Sequence, residues 1–174
     1  MFDILAEGKR NQTEGLASIL ESALADPELI ADLLKFAAVS QANIAARAIW
    51  VVRQISDKDP ALLASHKAMI VNELTKSELW EVKAELCHII PELPLTVDDA
   101  RTAITFFESC QKDESKIVRA WSLNGLFEVS KIVPEITETV SQLLAEALNS
   151  DTASVSARAR NILKKMKSAG DKWK

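Results

Sequence analysis

One arrangement of apolar residues occurs four times along the chain, and it constrains the fold more than any other feature of the sequence. The four sets begin at residues 44, 82, 118 and 155, so successive sets are 38, 36 and 37 residues apart. Within each set the residues fall at relative positions 0, 4, 7, 8 and 11, which form one stripe on an α-helix that turns about 100° per residue. A period of this length indicates a repeat architecture with two helices and two turns in each unit.

The stretch before each set supplies the first helix of a pair, and residues typical of helix starts mark its beginning. Asp59 precedes Pro60 at the first helical position, where the missing N–H of a proline costs nothing. Thr96 followed by Asp99 resembles a capping box, with Asp in place of the usual Glu. The sequence predicts first helices (A helices) over 27–38, 60–74, 97–110 and 135–148, and second helices (B helices) over 42–55, 79–90, 115–130 and 153–167.

Composition favours the same all-α fold. The 174 residues include only four Gly, five Pro and no Tyr, which leaves little material for hairpin turns and strands. Apolar residues at helical spacing predict a further N-terminal helix over 13–25 that caps the first pair. We expect a single domain over residues 1–174, with repeats at about 27–56, 60–93, 96–131 and 134–167 and a tail over 168–174.

The third pair carries a segment that resembles the HEAT repeat (armadillo-like) family, whose members are built of stacked helix pairs. From Lys112 to Leu126 it reads KDESKIVRAWSLNGL, with an Asp in the turn, then Val-Arg, then small and apolar residues. Asp113 and Arg119 match the paired Asp and Arg that link neighbouring repeats in the family, and the other repeats match the pattern in part. The resemblance covers residues 27–167 and implies a right-handed α-solenoid of about four HEAT-like helix pairs.

The sequence carries no membrane span and no catalytic motif. Because no apolar run is long enough to cross a bilayer, we expect a cytoplasmic protein without a membrane partner. Cys87 and Cys110 lack CxxC spacing and are expected to be reduced and buried. His66 and His88 have no HExxH partner, and no Gly-rich phosphate loop occurs. We therefore predict a non-enzymatic protein with no catalytic residue, no metal and no cofactor.

A face for a protein or peptide partner is predicted on the B helices, because stacked helix pairs present these helices as one continuous surface, usually concave. Relative positions 2, 6 and 9 lie opposite the apolar stripe, and an alanine recurs at position 2, which predicts a shallow trough flanked by larger side chains. Two interpretations of Trp50 and Trp121 stay open: they are exposed binding hot spots, or they fill space between adjacent B helices. The predicted partner-binding residues are Arg47, Trp50, Arg53, His88, Trp121, Asn124, Phe127 and Arg158.

Charge divides between the two sets of helices, although the whole chain has a formal charge of −4. The predicted B helices sum to +7 and the A helices to −6, which predicts a basic inner layer that favours an acidic or extended peptide. The alternative partner is nucleic acid, since some DNA glycosylases resemble HEAT solenoids and hold DNA against a basic concave surface. A further explanation also stays open, because most of the positive charge lies in the last B helix, whose C-terminal end favours Lys and Arg.

Overall fold

The computed structural model describes residues 2–7, 9–39 and 41–168, and the regular elements of this part are all helical. Its nine α-helices are α1 (Leu16–Ala25), α2 (Leu29–Ala37), α3 (Ala42–Lys58), α4 (Lys67–Asn72), α5 (Trp80–Ile89), α6 (Val97–Cys110), α7 (Lys116–Ser130), α8 (Thr137–Leu148) and α9 (Ala153–Ser168). Short 3-10 segments occupy Phe2–Leu5, Pro60–His66, Leu74–Lys76, Ile90–Glu92 and Pro134–Ile136. The predicted all-α fold is confirmed, while residues 169–174 of the predicted tail lie outside the described residues.

Capping chemistry sets the start of α6 at the residue that the sequence predicts. The backbone N–H of Asp99 donates to Thr96 Oγ1 at 3.2 Å, and the backbone N–H of Thr96 donates to Asp99 Oδ2 at 2.8 Å. These two reciprocal hydrogen bonds form the predicted capping box and satisfy two N–H groups that the helix itself cannot pair.

The predicted A helix over 60–74 is wrong in part. Its first two turns form the 3-10 segment Pro60–His66, and only α4 is α-helical. The predicted cap is present, because Asp59 Oδ1 accepts a hydrogen bond from the N–H of Ala61 at 3.1 Å. Proline fixes φ near a value that α and 3-10 helices share, so the Asp-Pro signal marks where a helix begins without selecting its type.

Contacts divide the chain at a repeat boundary into two compact units, Met1–Leu95 (unit 1) and Thr96–Lys174 (unit 2). In unit 1, α2 packs along α3, and α3 packs against α5 and the 3-10 segment that precedes α4. The apolar stripes fill its core with Ile30, Leu33, Leu34, Val51, Val52, Ile55, Val82, Leu86 and Ile89. The helix pairing is as predicted, and a single domain over the whole chain stays a prediction.

In unit 2, α6 packs along α7, and both α7 and α8 pack against α9. Gly125 of α7 lies directly beside the buried ring of Phe107 on α6, so that a Cβ at this position would stand 2.5 Å from Phe107 Cε1. The absence of a side chain therefore permits the close approach of these two helices.

The residues that match the Asp–Arg pair of the family fix a turn inside one helix pair. Arg119 Nη1 donates to the carbonyl oxygens of Asp113 at 2.5 Å and Glu114 at 3.0 Å, in the turn between α6 and α7. The carboxylate of Asp113 accepts from the N–H of Ser115 at 2.8 Å, and Ser115 is the N-cap of α7. These hydrogen bonds lie within a single repeat and set the start of its second helix.

Candidate functional site

One register position of the four B-helix stripes makes several of the polar and aromatic contacts between distant parts of the chain. It is relative position 3, which is occupied by Arg47 on α3, Glu85 on α5, Trp121 on α7 and Arg158 on α9. The predicted site already included Arg47, Trp121 and Arg158 from this position, but it did not include Glu85. The sequence could have identified Glu85, because it occupies the same position in its repeat as Arg47 and Trp121 occupy in the repeats before and after it.

Arg47 is buried, so it does not lie on the exposed face where the sequence predicts it. Its side chain is only 2% exposed, because residues 2–7 and 9–14 (the N-terminal segment) cross the first turns of α3. The guanidinium donates to the carbonyl oxygens of Gln12, Ile4 (3.0 Å) and Glu14 (3.4 Å). Carbonyl groups of an irregular segment need donors when they are buried, and Arg47 supplies them. Its role is to hold the N-terminal segment in place.

Arg53 lies on the predicted face of unit 1, but carboxylates surround it. Its Nη2 is 3.0 Å from Asp57 Oδ2 on the same helix, and its Nε is 3.8 Å from Glu85 Oε2 on α5. Burial raises the pKa of the Glu85 carboxyl to about 7, while the charge of Arg53 lowers it and the charge of Asp57 raises it. The ionic contact between α3 and α5 is therefore sensitive to pH near neutrality.

Further acidic and aromatic groups of unit 1 lie on the same two helices. Glu81 Oε1, one turn before Glu85, is 3.0 Å from Nη1 of Arg10. The side chains of Trp50 on α3 and His88 on α5 are half-buried, so parts of both remain accessible. The predicted basic inner layer is therefore wrong for this unit, because Arg47 is covered and Arg53 is balanced by Asp57 and Glu85.

The strongest side-chain constellation of unit 2 is a stack of Arg158 on Trp121. The guanidinium carbon of Arg158 lies 3.3 Å from the centroid of the Trp121 ring, and both side chains are half-buried. This contact joins α7 to α9 with the geometry of a cation–π interaction, which is stronger where water is partly excluded. Trp121 therefore combines the two interpretations left open by the sequence, since it packs between neighbouring B helices and keeps part of its surface accessible.

The stacked guanidinium has no counter-ion among the described residues. Within the described part of the chain, no carboxylate forms an ion pair with Arg158. The Nε atom of Arg158 is buried and has no hydrogen-bond partner in the same part of the chain. Burial lowers the pKa of Arg158, the direction expected when a cation loses water without gaining an anion. Because an incompletely neutralised buried charge is costly, the Arg158 side chain is suited to accept an anion.

Asn124 and Phe127 do not form the exposed surface that the sequence analysis predicted. Phe127 is 1% exposed and has the ammonium of Lys131 4.5 Å from its ring centroid, while Asn124 is 9% exposed. The physical reason is the composition of α7, whose ten buried residues lie all round the helix and not along one stripe. The side-chain oxygen of Asn124 is buried without a hydrogen-bond partner in the described part of the chain.

Positive charge is concentrated on α9. This helix carries five cations and no acidic residue, namely Arg158, Arg160, Lys164, Lys165 and Lys167. Residues 1–95 contain nine Lys and Arg against fourteen Asp and Glu, and residues 96–174 contain twelve against eleven. The positive charge of unit 2 is therefore concentrated on α9.

Over residues 2–7, 9–39 and 41–168, no group of three or more His, Cys, Asp and Glu side chains is arranged to hold a metal ion. Cys87 and Cys110 are both buried, as predicted, and are not joined in a disulfide bond. Among the helices of these ranges, none combines the length and the apolar character needed to cross a membrane.

Comparison with known proteins agrees with the helix pairing. A family model described as a HEAT repeat domain matches residues 8–166. No protein among those with curated descriptions matches the chain. The match covers most of the chain and spans all four of the helix pairs described above, so the chain belongs to the HEAT repeat family.

Proposed function

We propose that this chain is a non-enzymatic scaffold that binds a protein or peptide partner through its B helices, α3, α5, α7 and α9. The observation that carries the proposal is the half-buried stack of Arg158 on Trp121. Tryptophan and arginine dominate the energetics of protein interfaces, since they combine apolar area with directed donors. Repeat families generally use such surfaces to hold partners.

Unit 1 contributes a second, more balanced contact surface. Trp50 and His88 are half-buried on α3 and α5, next to the pairs that Arg53 forms with Asp57 and Glu85. An aromatic ring flanked by paired charges suits a partner with both apolar and polar groups. On this proposal each unit binds its own part of the partner.

Capture from a lysate of the native cell tests the proposal. The wild-type chain is compared with Trp50→Ala, with Trp121→Ala and with the control Val97→Ala, which removes a 46% exposed apolar side chain from α6, outside the B helices. We expect Trp50→Ala and Trp121→Ala to lose specifically captured proteins that Val97→Ala retains, with the circular-dichroism spectrum unchanged. Retention of every captured protein by both variants would refute the assignment of the B helices.

Nucleic acid is the second candidate partner, and the five cations of α9 are the observation that favours it. A phosphate backbone would be held by several of these cations, and binding would weaken steeply with salt. Retention of duplex DNA at low salt, abolished by Arg158→Glu together with Lys164→Glu, is the result that this candidate requires. The absence of retention at low salt would remove it.

A further inference from the structure

We propose that the Arg158–Trp121 stack, together with Asn124, forms a binding site for the carboxylate of an acidic residue in an extended peptide. This inference rests on the proposed function, because it names the partner chemistry of one of the surfaces described above. Three observations on unit 2 carry it: the arrangement of the guanidinium, the unsatisfied amide oxygen beside it, and the distribution of charge on α9.

The guanidinium is fixed so that its edge is the part available to a ligand. With its carbon 3.3 Å from the Trp121 centroid, one face of the Arg158 group is covered by the indole. Its Nε is buried, whereas its two terminal nitrogens make no hydrogen bond with the described residues and are not sealed from solvent. A planar fork held by stacking keeps its N–H donors in one direction, which matches the two oxygens of a carboxylate.

Asn124 supplies a second polar group beside the stack. It lies one turn after Trp121 on α7, so the two side chains leave the helix on neighbouring positions of one face. Its side chain is more than nine-tenths buried, and its Oδ1 has no hydrogen-bond partner among the described residues. A buried acceptor without a donor is costly, and a peptide N–H that accompanies the bound carboxylate provides the missing donor once the amide reorients.

The charge on the surrounding surface favours an acidic peptide over a nucleic-acid backbone. Lys165 has a 62% exposed side chain and adds to the positive potential of α9 near Arg158. Glu128 lies between the cations, with Oε2 2.7 Å from Lys131 Nζ and Oε1 3.9 Å from Lys165 Nζ. This carboxylate would repel a chain of phosphates that used Lys131 and Lys165, whereas a single carboxylate on Arg158 needs neither of these cations.

A titration with the full chain tests the site. The probe is a fluorescein-labelled peptide of five Glu-Gly repeats, and the comparison probes are the same peptide with Gln or with Lys in place of Glu and a duplex DNA, all followed by fluorescence anisotropy at low salt. We expect saturable binding of the Glu peptide alone. Arg158→Gln should weaken it about tenfold or more, since charge-assisted hydrogen bonds to a carboxylate are lost, and Arg158→Lys should also weaken it because the stacked fork is lost.

Arg160→Gln is the matched control, because Arg160 is an exposed cation on the same helix and two residues away, on the other side. Arg160→Gln removes the same charge as Arg158→Gln. It should change the affinity for the Glu peptide by less than about twofold, because it reduces only the long-range electrostatic attraction. Equal losses in Arg158→Gln and Arg160→Gln would overturn the site, as would equal binding of the Gln peptide or tighter binding of DNA.

The outcome is separable from that of the proposed function. If the wild-type chain does not bind the Glu peptide while Trp50→Ala and Trp121→Ala still lose captured proteins, the carboxylate site is wrong and the scaffold function stands. If the captured proteins are also unaffected, both proposals are wrong. The circular-dichroism spectrum of Arg158→Gln is compared with that of the wild type. If the variant is folded but does not bind the Glu peptide, the loss of binding comes from the site and not from unfolding.

Discussion

Replacing Gly125 by alanine tests the packing that defines the third helix pair. Alanine favours a helix interior over glycine by about 1 kcal/mol, so a loosely packed helix would become more stable. Here the added Cβ would lie 2.5, 2.6 and 2.8 Å from three atoms of the Phe107 ring, which is fully buried. Overpacking of this kind costs about 3 kcal/mol at the upper end of its usual range. The expected net effect is a loss of about 2 kcal/mol.

The assay is urea and thermal unfolding followed by helical circular dichroism. For a chain of this length a loss of about 2 kcal/mol corresponds to a fall in Tm of about 4 to 8 °C. Phe107→Leu is the companion variant, because it removes ring atoms that the new methyl would meet. The double variant should be more stable than the sum of the single effects predicts, by about 1 kcal/mol or more. A neutral or stabilising Gly125→Ala, or strict additivity, would refute the close approach of α6 and α7.

The remaining predictions concern two charged groups, a helix cap and the core. Because the pKa of Glu85 is about 7 in the folded chain against its usual value of 4.5, folding favours its protonated form. Its contribution to the stability is therefore fully present below about pH 4.5 and is lost, by up to about 3 kcal/mol, as the pH rises through 7. Urea unfolding at pH 5 and pH 8 should show this slope in the wild type and a flatter one in Glu85→Gln. Arg47→Gln should cost about 3 kcal/mol and speed amide exchange in residues 4–14, and normal exchange there would contradict its role as a donor to that segment. Thr96→Ala should cost about 1 kcal/mol through loss of the capping box, measured by the urea midpoint, with no change in the helix content of the folded state. Leu126→Asp should abolish cooperative unfolding of unit 2, because it buries an unpaired carboxylate; a cooperative transition with a normal midpoint would show that this position is not core.

The fold was largely predictable because it is encoded locally. Each B helix carries its own apolar stripe, and the capping box at Thr96 and Asp99 fixes α6 without help from distant residues. The predicted A helix over 60–74 differs from the structure because its local signals are ambiguous. An Asp-Pro start and two leucines are compatible with either a 3-10 helix or an α-helix. Periodicity therefore predicts which residues face the core more reliably than it predicts the exact type of a short helix.

The candidate site was predictable only in part, because exposure depends on what packs against a helix. Nothing in the sequence of α3 shows that the N-terminal segment covers Arg47, and nothing in one stripe shows that α7 is enclosed around Asn124 and Phe127. The stack of Arg158 on Trp121 does have a sequence signal, since the two residues are 37 positions apart and occupy the same register of consecutive B helices. Comparing one register position across repeats would have paired them.

Site-specific photo-crosslinking tests the central claim, that partners bind along the B helices, most directly. A photoreactive amino acid is placed at Gln54 on α3, one turn after Trp50, and at the exposed Asn161 on α9. In the control chains it is placed at Asp32 on α2 and at the exposed Glu138 on α8. Illumination in native cells should produce protein adducts from the α3 and α9 positions and few or none from α2 and α8. Adducts that form mainly at Asp32 and Glu138, or equally at all four positions, would contradict the assignment of the B helices as the binding surface.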